Sequence, residues 1–367
     1  MLFAFLTSVL IVSGIFAALA ALLAVSEYYF SDYGECEIKI NDKKNLKVRG
    51  GGKLLSALTS EKIFIPSACG GRGTCGLCKL KVLEGGGSLL PTEEPYLTKG
   101  EREGNVRLSC QIKVRNNLSI FIPEELFSIR EYKSRCVKIV DLTHDMKLFT
   151  LELIEPPAVD YAPGQYMQLF VPIYKGSTEE VYRAYSVASD PGEKKMIDLI
   201  IRLVPGGICT TYCFNFLKAG QSVKMNGPYG QFRLRDTDAE IIFIAGGSGI
   251  APIRCILIDM RNRSSTRKAT FYFGANTVSE LCLLDEMRNL ESELPDFKFI
   301  PVVARPAEGE KWDGETGLVT DAVRKNLKNA SHCEAYLCGS PGMIDASIKV
   351  LKNIGVTEDK IYYDKFA

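Results

Sequence analysis

Three cysteines stand on one glycine-rich stretch, Cys69, Cys75 and Cys78 in PSACGGRGTCGLCKLKV, and a fourth, Cys110 in RLSCQI, follows after 31 intervening residues. A C-x5-C-x2-C loop that must meet a distant fourth cysteine constrains the local fold more than any other feature of this chain. Four thiolates are what a [2Fe–2S] cluster requires. Gly70, Gly71, Gly73 and Gly76 suit a loop that wraps an anionic cluster, because such a loop takes up positive φ angles and brings backbone N–H groups close to sulfur. The competing reading is a structural zinc site. Zinc sites usually come as two close cysteine pairs, whereas here three ligands share one loop and the fourth is remote, so the spacing favours the cluster.

At 367 residues the chain has room for two or three domains, each with its own core. Lys plus Arg number 45 against 44 for Asp plus Glu, which leaves a formal charge of +1 and no global field to hold a polyanion. Nucleic acid is therefore not an expected partner. With 46% hydrophobic and 24% charged residues, the composition is that of a globular protein with an extra apolar piece. That piece lies at the start, where residues 1–26 carry no charge and LFAFLTSVLIVSGIFAALAALLAV is long enough to cross about 30 Å of hydrocarbon, for which roughly 20 apolar residues suffice. A transmembrane helix over residues 1–26 is the expectation. A cleaved secretory signal would use the small residues of AALAA, but no Lys or Arg precedes the apolar core, and that core is long for a signal.

Lys39, Lys43, Lys44, Lys47 and Arg49 follow the helix and nothing basic precedes it, so the charge bias predicts a single-pass protein of the inner (cytoplasmic) membrane with its body facing the cytoplasm. No carboxylate lies within the span, which makes it an anchor or docking helix and not an ion carrier. In a reducing compartment the twelve cysteines do not read as a disulfide framework. Cys36, Cys136, Cys213, Cys255, Cys282 and Cys333 show no ligand spacing and read as small buried hydrophobes.

Three further blocks follow the apolar start. Residues 34–124 alternate in short segments (CEIKI, LKVR, CKLKVL, LSIFI) around one brief helical run, KLLSALTS, and outline a small mixed domain. PEELFSIREYK reads as a linker, with movement expected about residues 123–133. Residues 132–236 give five or six strand-like runs without a long helix, which suggests a small antiparallel barrel. From 237 to 367 strands alternate with helices, the pattern of a parallel α/β sheet covered on both faces. The fold class expected is thus multidomain, α+β followed by α/β.

In the first turn of that sheet, Gly246, Gly247, Ser248 and Gly249 stand between a hydrophobic strand and a helix holding Ile250 and Pro252. Such a turn lets backbone N–H groups and a helix N-terminus meet a pyrophosphate, although tight glycine turns also serve plain packing. In the barrel, Arg183-Ala184-Tyr185-Ser186 offers an Arg to neutralise a flavin phosphate, a Tyr to stack on the isoalloxazine and a Ser hydroxyl to reach its reacting nitrogen. His144, His332 and Trp312 show no partner pattern and read as solvated or packing residues.

The mixed domain resembles the β-grasp [2Fe–2S] ferredoxins, in the variant with five residues between the first two ligands. PGQY, RAYS, GGICT, GPYG, GGSGIAP and CGSPGM occur in the order and approximate spacing of the ferredoxin–NADP reductase superfamily. That second resemblance implies an FAD barrel followed by a nicotinamide-nucleotide domain. It implies that Arg183, Tyr185 and Ser186 bind the flavin, that Gly207, Ile208, Cys209 and Thr210 meet its phosphates, and that the 246–250 turn with Pro252 receives the dinucleotide. Cys338 and Gly339 would sit near the nicotinamide, with Ser186 and Cys338 as catalytic residues and Phe366 as the ring that covers the flavin and moves aside.

The order of anchor, cluster domain, barrel and nucleotide domain, with GGGSLLPTE, TKGE, RLSCQ and IPEELF, resembles the NADH-oxidising F subunits of sodium-translocating NADH:quinone oxidoreductases. That family implies FAD, a [2Fe–2S] cluster, NADH as donor, and membrane partner subunits that carry electrons to a quinone. The stretch between RAYS and GGICT is shorter here than in that family. Two other readings remain: the NADH-dependent reductase component of a bacterial oxygenase, and a non-enzymatic membrane electron carrier or redox sensor. NADH is favoured over NADPH because GANTVSELCLLDEM offers Glu280 and no basic residue before Arg288.

Overall fold

The computed structural model describes the backbone of residues 2–30 and 33–366 and, within the first helix, the side chains of residues 7, 9–22 and 25. That helix, α1 (Leu2–Phe30), carries exposed Val9, Leu10, Ile11, Val12, Ile15, Phe16, Leu19, Leu22 and Val25. Among the described residues no helix is long and apolar enough to cross a membrane, and part of the expected span at 1–26 lies outside them. The chain divides into two compact units, Met1–Ser67 with Gly71–Ser128, and Ala68–Gly70 with Ile129–Ala367.

In the first unit, β1 (Glu35–Ile40), β2 (Lys44–Arg49), α2 (Leu54–Ser60), β3 (Lys79–Glu84), α3 (Lys99–Glu103), β4 (Val106–Leu108) and β5 (Leu118–Phe121) build a sheet of order β2-β1-β5-β3-β4. The central pair β1 and β5 is parallel and the other pairs are antiparallel. Strict alternation in β1 sends Cys36, Ile38 and Ile40 inward, where Leu54, Leu55 and Leu58 of α2 cover them. The alternating reading of this block is borne out.

The second unit opens with β6 (Arg130–Asp141), β7 (Met146–Glu155), β8 (Tyr166–Val171), β9 (Val181–Ser186), β10 (Met196–Arg202), α4 (Ile208–Asn215) and β11 (Ser222–Tyr229). They form an antiparallel sheet of order β10-β7-β6-β11-β8-β9, whose two ends meet through a Val187–Leu199 bridge. Residues 130–133, read from sequence as part of a linker, are the start of β6: Tyr132 pairs with Met225 and is buried. Only the stretch before Arg130 stays outside the sheet, because burial of Tyr132 ties the rest to β11.

The chain continues through β12 (Glu240–Gly246), α5 (Ile250–Asn262), β13 (Ala269–Ala275), α6 (Leu284–Glu293), β14 (Phe297–Val303), β15 (Glu315–Thr316), α7 (Val319–Asn326), β16 (Cys333–Gly339), α8 (Pro341–Asn353) and β17 (Ile361–Lys365). These strands are all parallel, in the order β15-β14-β13-β12-β16-β17. Ile241, Phe243 and Ala245 of β12 face Ile253, Ile256 and Leu257 of α5, while Ile242 and Ile244 point to the opposite core with Val323 and Ile344. A strand buried on both faces needs a continuous apolar run, which is what IIFIA supplies. The order reverses beside β12, and in such sheets the crevice for ligands lies at the carboxyl ends of the strands on either side of that reversal.

Candidate functional site

The cysteine loop runs from the end of the α2 region to β3. Cys78 and Cys110 are fully buried and Cys69 and Cys75 are half-buried; none of the twelve cysteines is in a disulfide. Gly76 turns the loop at φ +67°, and a Cβ there would fall 2.7 Å from the Tyr96 ring, so no larger residue fits. Cys78 is hydrogen-bonded to Cys110, and that bond together with burial pushes the Cys78 thiol well above its ordinary range. Ser109 holds the same place from outside, its N–H and Oγ both donating to the Cys78 carbonyl at 2.9 and 3.0 Å. Gln111 Nε2 donates to Cys110 Sγ at 3.5 Å. Two buried sulfurs in contact, next to a glycine loop carrying two more, fit the donor set of an iron–sulfur cluster.

What fixes Cys110 in place has no local mark in the sequence. Arg107 forms a buried ion pair with Glu93, Nη2 to Oε2 at 2.6 Å, and its Nη1 donates to the Gly86 and Gly87 carbonyls at 3.0 Å. Glu93 in turn accepts from the backbone N–H of Leu108 at 2.8 Å and of Leu90 at 3.0 Å. GGGSLLPTE and RLSCQ are thus one clamp, joined by Glu93 and Arg107, on the strand that delivers Cys110. Nothing in the spacing of the two segments announces the pairing, which needs coordinates.

In the barrel, Arg183 and Tyr185 share one side of β9, while Ser186, at its end, is buried on the other. The structure brings Tyr185 to Cys209 of α4: burial and the neighbouring Cys209 and Cys213 thiols push the Tyr185 phenol well above its ordinary range. The hydrogen bond from Cys213 pulls the Cys209 thiol down. Cys209 is therefore a core side chain, and only its backbone is available at the start of α4. Gly207 caps α4 without a side-chain acceptor, which leaves the first-turn N–H groups without the usual competitor for a phosphate. Thr210 Oγ1 accepts from Val204 N at 3.1 Å and so braces the preceding turn.

In the nucleotide sheet, β12 ends at Gly246, Gly247–Gly249 make one 3₁₀ turn, and α5 starts at Ile250 with Ile250 and Pro252 buried. Gly249 also brings no side-chain cap, and a Cβ on it would run into the Cys338 carbonyl, so the GGSG turn and the end of β16 must pass backbone to backbone. Cys338 itself is fully buried, and burial first and Asp364 second push its thiol well above the usual range. Phe366 N donates to the Gly339 carbonyl at 2.8 Å, which ties the chain terminus to the same strand end.

Two arginines here are not marked by any motif in the sequence. Arg202, at the end of β10 in the barrel, reaches the dinucleotide turn: a Cβ on Gly247 would be 3.1 Å from its Nη1, while its Nε donates to Asp145 at 2.6 Å. Burial is the largest single influence and would raise the Asp145 carboxyl, but the hydrogen bonds from Arg202 and Thr143 and the Arg202 charge together hold its pKa below the ordinary value. Arg254 of α5 donates to the Ala188 carbonyl, to Asp198 at 3.2 Å and to Glu286 at 2.7 Å, which locks α5 onto the barrel. Glu280 follows β13 and accepts from Asn276 Nδ2 at 2.9 Å, in the region where an acidic group meets a ribose in dinucleotide folds.

Comparison with known proteins agrees with each module. Residues 38–115 match the 2Fe-2S iron-sulfur cluster binding domain, 133–234 the oxidoreductase FAD-binding domain and 243–349 the oxidoreductase NAD-binding domain. Among solved structures, the Amycolatopsis cytochrome P450 reductase GcoB is similar with a TM-score of 0.72 and 28% identity over 90% of this chain and 98% of that one. The ferredoxin reductase in carbazole 1,9a-dioxygenase has a TM-score of 0.69 and 25% identity over 91% of this chain and 98% of its own. Among curated proteins, the F subunit of the Na(+)-translocating NADH-quinone reductase of Neisseria gonorrhoeae is 36% identical over 95% of this chain and 96% of its own length. That of Pseudomonas paraeruginosa is 35% identical over 96% of each. The Neisseria alignment spans 389 positions, more than the 367 residues here, so the relative carries segments this chain lacks. With three cofactor modules in one order and end-to-end similarity at this level, the chain belongs to the family of Na(+)-translocating NADH-quinone reductase F subunits.

Proposed function

We propose that this chain is the NADH-oxidising component of a membrane-bound, sodium-translocating NADH:quinone reductase and delivers single electrons to partner subunits of that complex. Bound FAD would supply a hydride acceptor for NADH and the conversion from two electrons to one that a one-electron [2Fe–2S] cluster requires. Cys69, Cys75, Cys78 and Cys110 hold the cluster. Arg183, Tyr185 and Ser186 bind and orient the flavin, and Gly207, Ile208, Cys209 and Thr210 present the α4 N-terminus to its phosphates. Gly246, Gly247, Ser248, Gly249, Ile250 and Pro252 seat the dinucleotide, with Arg202 neutralising a phosphate above Gly247. Cys338 and Gly339 set the floor beside the nicotinamide through their backbone, and Phe366 covers the flavin until the nicotinamide displaces it.

The observation that carries this reading is the co-linear match of all three modules to the F subunits over nearly the whole chain. α1 acts as a single-pass anchor, with the cofactor modules on the cytoplasmic side. Its 29 residues measure about 43 Å at 1.5 Å per residue, more than the roughly 30 Å of a hydrocarbon core, and its described apolar side chains are exposed. Membranes from cells expressing the tagged chain test both points. The expected result is a chain that resists alkaline wash, co-purifies with integral membrane partners and reduces ferricyanide faster with NADH than with NADPH.

The likeness to two oxygenase-type reductases favours a second reading, a reductase component that serves an oxygenase. A chain found in the soluble fraction, without membrane companions, would establish that reading in place of the first.

A further inference from the structure

At the end of the nucleotide sheet opposite the glycine turn lie three side chains that NADH oxidation does not use. Glu240 opens β12, Cys333 opens β16, and the parallel register pairs them directly. His332 precedes Cys333, and its Nε2 lies 3.3 Å from Glu240 Oε1. The carboxylate oxygen, the imidazole nitrogen and the thiol sulfur all fall within 4.8 Å of one another. Lys268 Nζ lies 3.1 Å from the other carboxylate oxygen, Oε2, and so leaves Oε1 turned toward the imidazole. Cys333 is buried while Glu240 and His332 reach solvent, which gives an ion a way in. By spacing alone Cys333 reads as an inert core cysteine and His332 as a solvated loop residue; the sheet register brings them together.

We propose that Glu240, His332 and Cys333 form a binding site for one Zn²⁺ ion, with water completing its coordination. Sulfur, nitrogen and oxygen are the donors zinc takes, at about 2.3 Å for sulfur and 2.0–2.2 Å for the other two. A thiolate with an imidazole also disfavours Mg²⁺ and Ca²⁺, which seek oxygen ligands. Tetrahedral bonds of those lengths put the donors about 3.5 Å apart, so the site closes by roughly 1 Å on binding, within reach of two solvent-facing side chains. The thiol proton leaves to water as sulfur binds the metal, and Lys268, held on Oε2, opposes zinc at Oε1 by charge repulsion. Along β12, at about 3.3 Å per residue, the site is about 20 Å from the dinucleotide turn. Its effect is to tie the starts of β12 and β16 together, so bound zinc raises the unfolding temperature of the second unit by mass action.

The test uses the full chain loaded with FAD and its cluster, titrated with Zn²⁺ by calorimetry and examined by zinc-edge X-ray absorption. The expected result is one equivalent bound with one sulfur near 2.3 Å, visible spectra of flavin and cluster unchanged, and a raised unfolding temperature. Cys333→Ser and His332→Ala each weaken binding by about tenfold or more, and Lys268→Met tightens it. His332 is exposed, so His332→Ala decides the matter if Cys333→Ser does not fold. Unchanged affinity in His332→Ala, no sulfur neighbour, or two or more sulfurs with bleaching of the cluster would overturn the proposal.

Discussion

The two units build their sites from different materials. The first supplies Cys75, Cys78 and Cys110, three of the four thiols proposed to hold a cluster, with Cys110 set by a buried Glu93–Arg107 pair and Gly76 turning the loop. The second relies on main chain: two helix starts capped by glycine, and a turn so close to β16 that Gly249 admits no Cβ. A side-chain site tolerates no change of ligand but leaves the surrounding backbone free to vary. A main-chain site tolerates many side chains and depends on backbone approach and on a few arginines placed from elsewhere. The consequences of mutation should differ accordingly, and four substitutions sharpen or break the contrast.

The largest effect is expected at a ligand. Cys110→Ser removes one of four sulfurs, and the cluster's absorption and EPR signal should vanish while flavin content and NADH-to-ferricyanide activity persist. Loss of both cofactors together would break the claim that the two sites are built independently. Next comes Arg107→Ala, which leaves the Glu93 carboxylate buried without its partner and should cost about 3–5 kcal/mol in the first unit. Chemical denaturation followed by cluster absorption should show an early transition, with flavin fluorescence unfolding at its parental midpoint.

A smaller effect is expected at the carboxyl end of the nucleotide sheet. Burial pushes the Asp364 carboxyl up to about 6 from its ordinary 3.8, so the native state binds that proton more tightly than the unfolded chain. The native state therefore loses stability as pH rises from about 4 through 6, and the loss is complete above that window and absent below it. Asp364→Asn should be more stable than the parent at pH 7.5 by about 1–2 kcal/mol, after discounting for partial exposure, and equal to it near pH 4. Thermal unfolding at the two pH values measures this, and equal stability at pH 7.5 would show that the carboxyl is solvated. Smallest is Arg202→Ala. Its half-exposed guanidinium is screened by water, so about 1 kcal/mol is at stake, a rise of roughly fivefold in KM for NADH with kcat little changed. An unaltered KM would remove Arg202 from the dinucleotide site.

The same contrast governs how much of the molecule is legible in its sequence. Four cysteines at fixed spacing carry their chemistry in residue identity, so the presence of a 2Fe-2S domain is legible from the spacing of Cys69, Cys75, Cys78 and Cys110. The alternation of strands and helices after residue 237 is legible because β12, buried on both faces, needs an apolar run and each crossover needs a helix. The flavin and dinucleotide sites are legible only through the order of several weak motifs, since a glycine turn looks the same whether it serves packing or phosphate. Arg202, Arg254 and the Glu93–Arg107 pair are not legible, because each acts on residues between 14 and 66 positions away and no local pattern marks the partner. Cys209 and Cys338 differ from the sequence-based expectation in the same way. Their side chains face the cores, so only their backbone is available to the turns they stand in.

Electrons that enter as a pair at the flavin and leave singly through the cluster are what joins the two units into one enzyme. Anaerobic titration of the full chain with NADH, followed by absorbance and EPR, tests this most directly. The flavin absorbance should fall and the reduced-cluster signal should rise with it, while the same chain stripped of FAD gives no cluster signal on adding NADH. Cluster reduction by NADH without FAD, or a fully reduced flavin beside a cluster that stays oxidised, would contradict it.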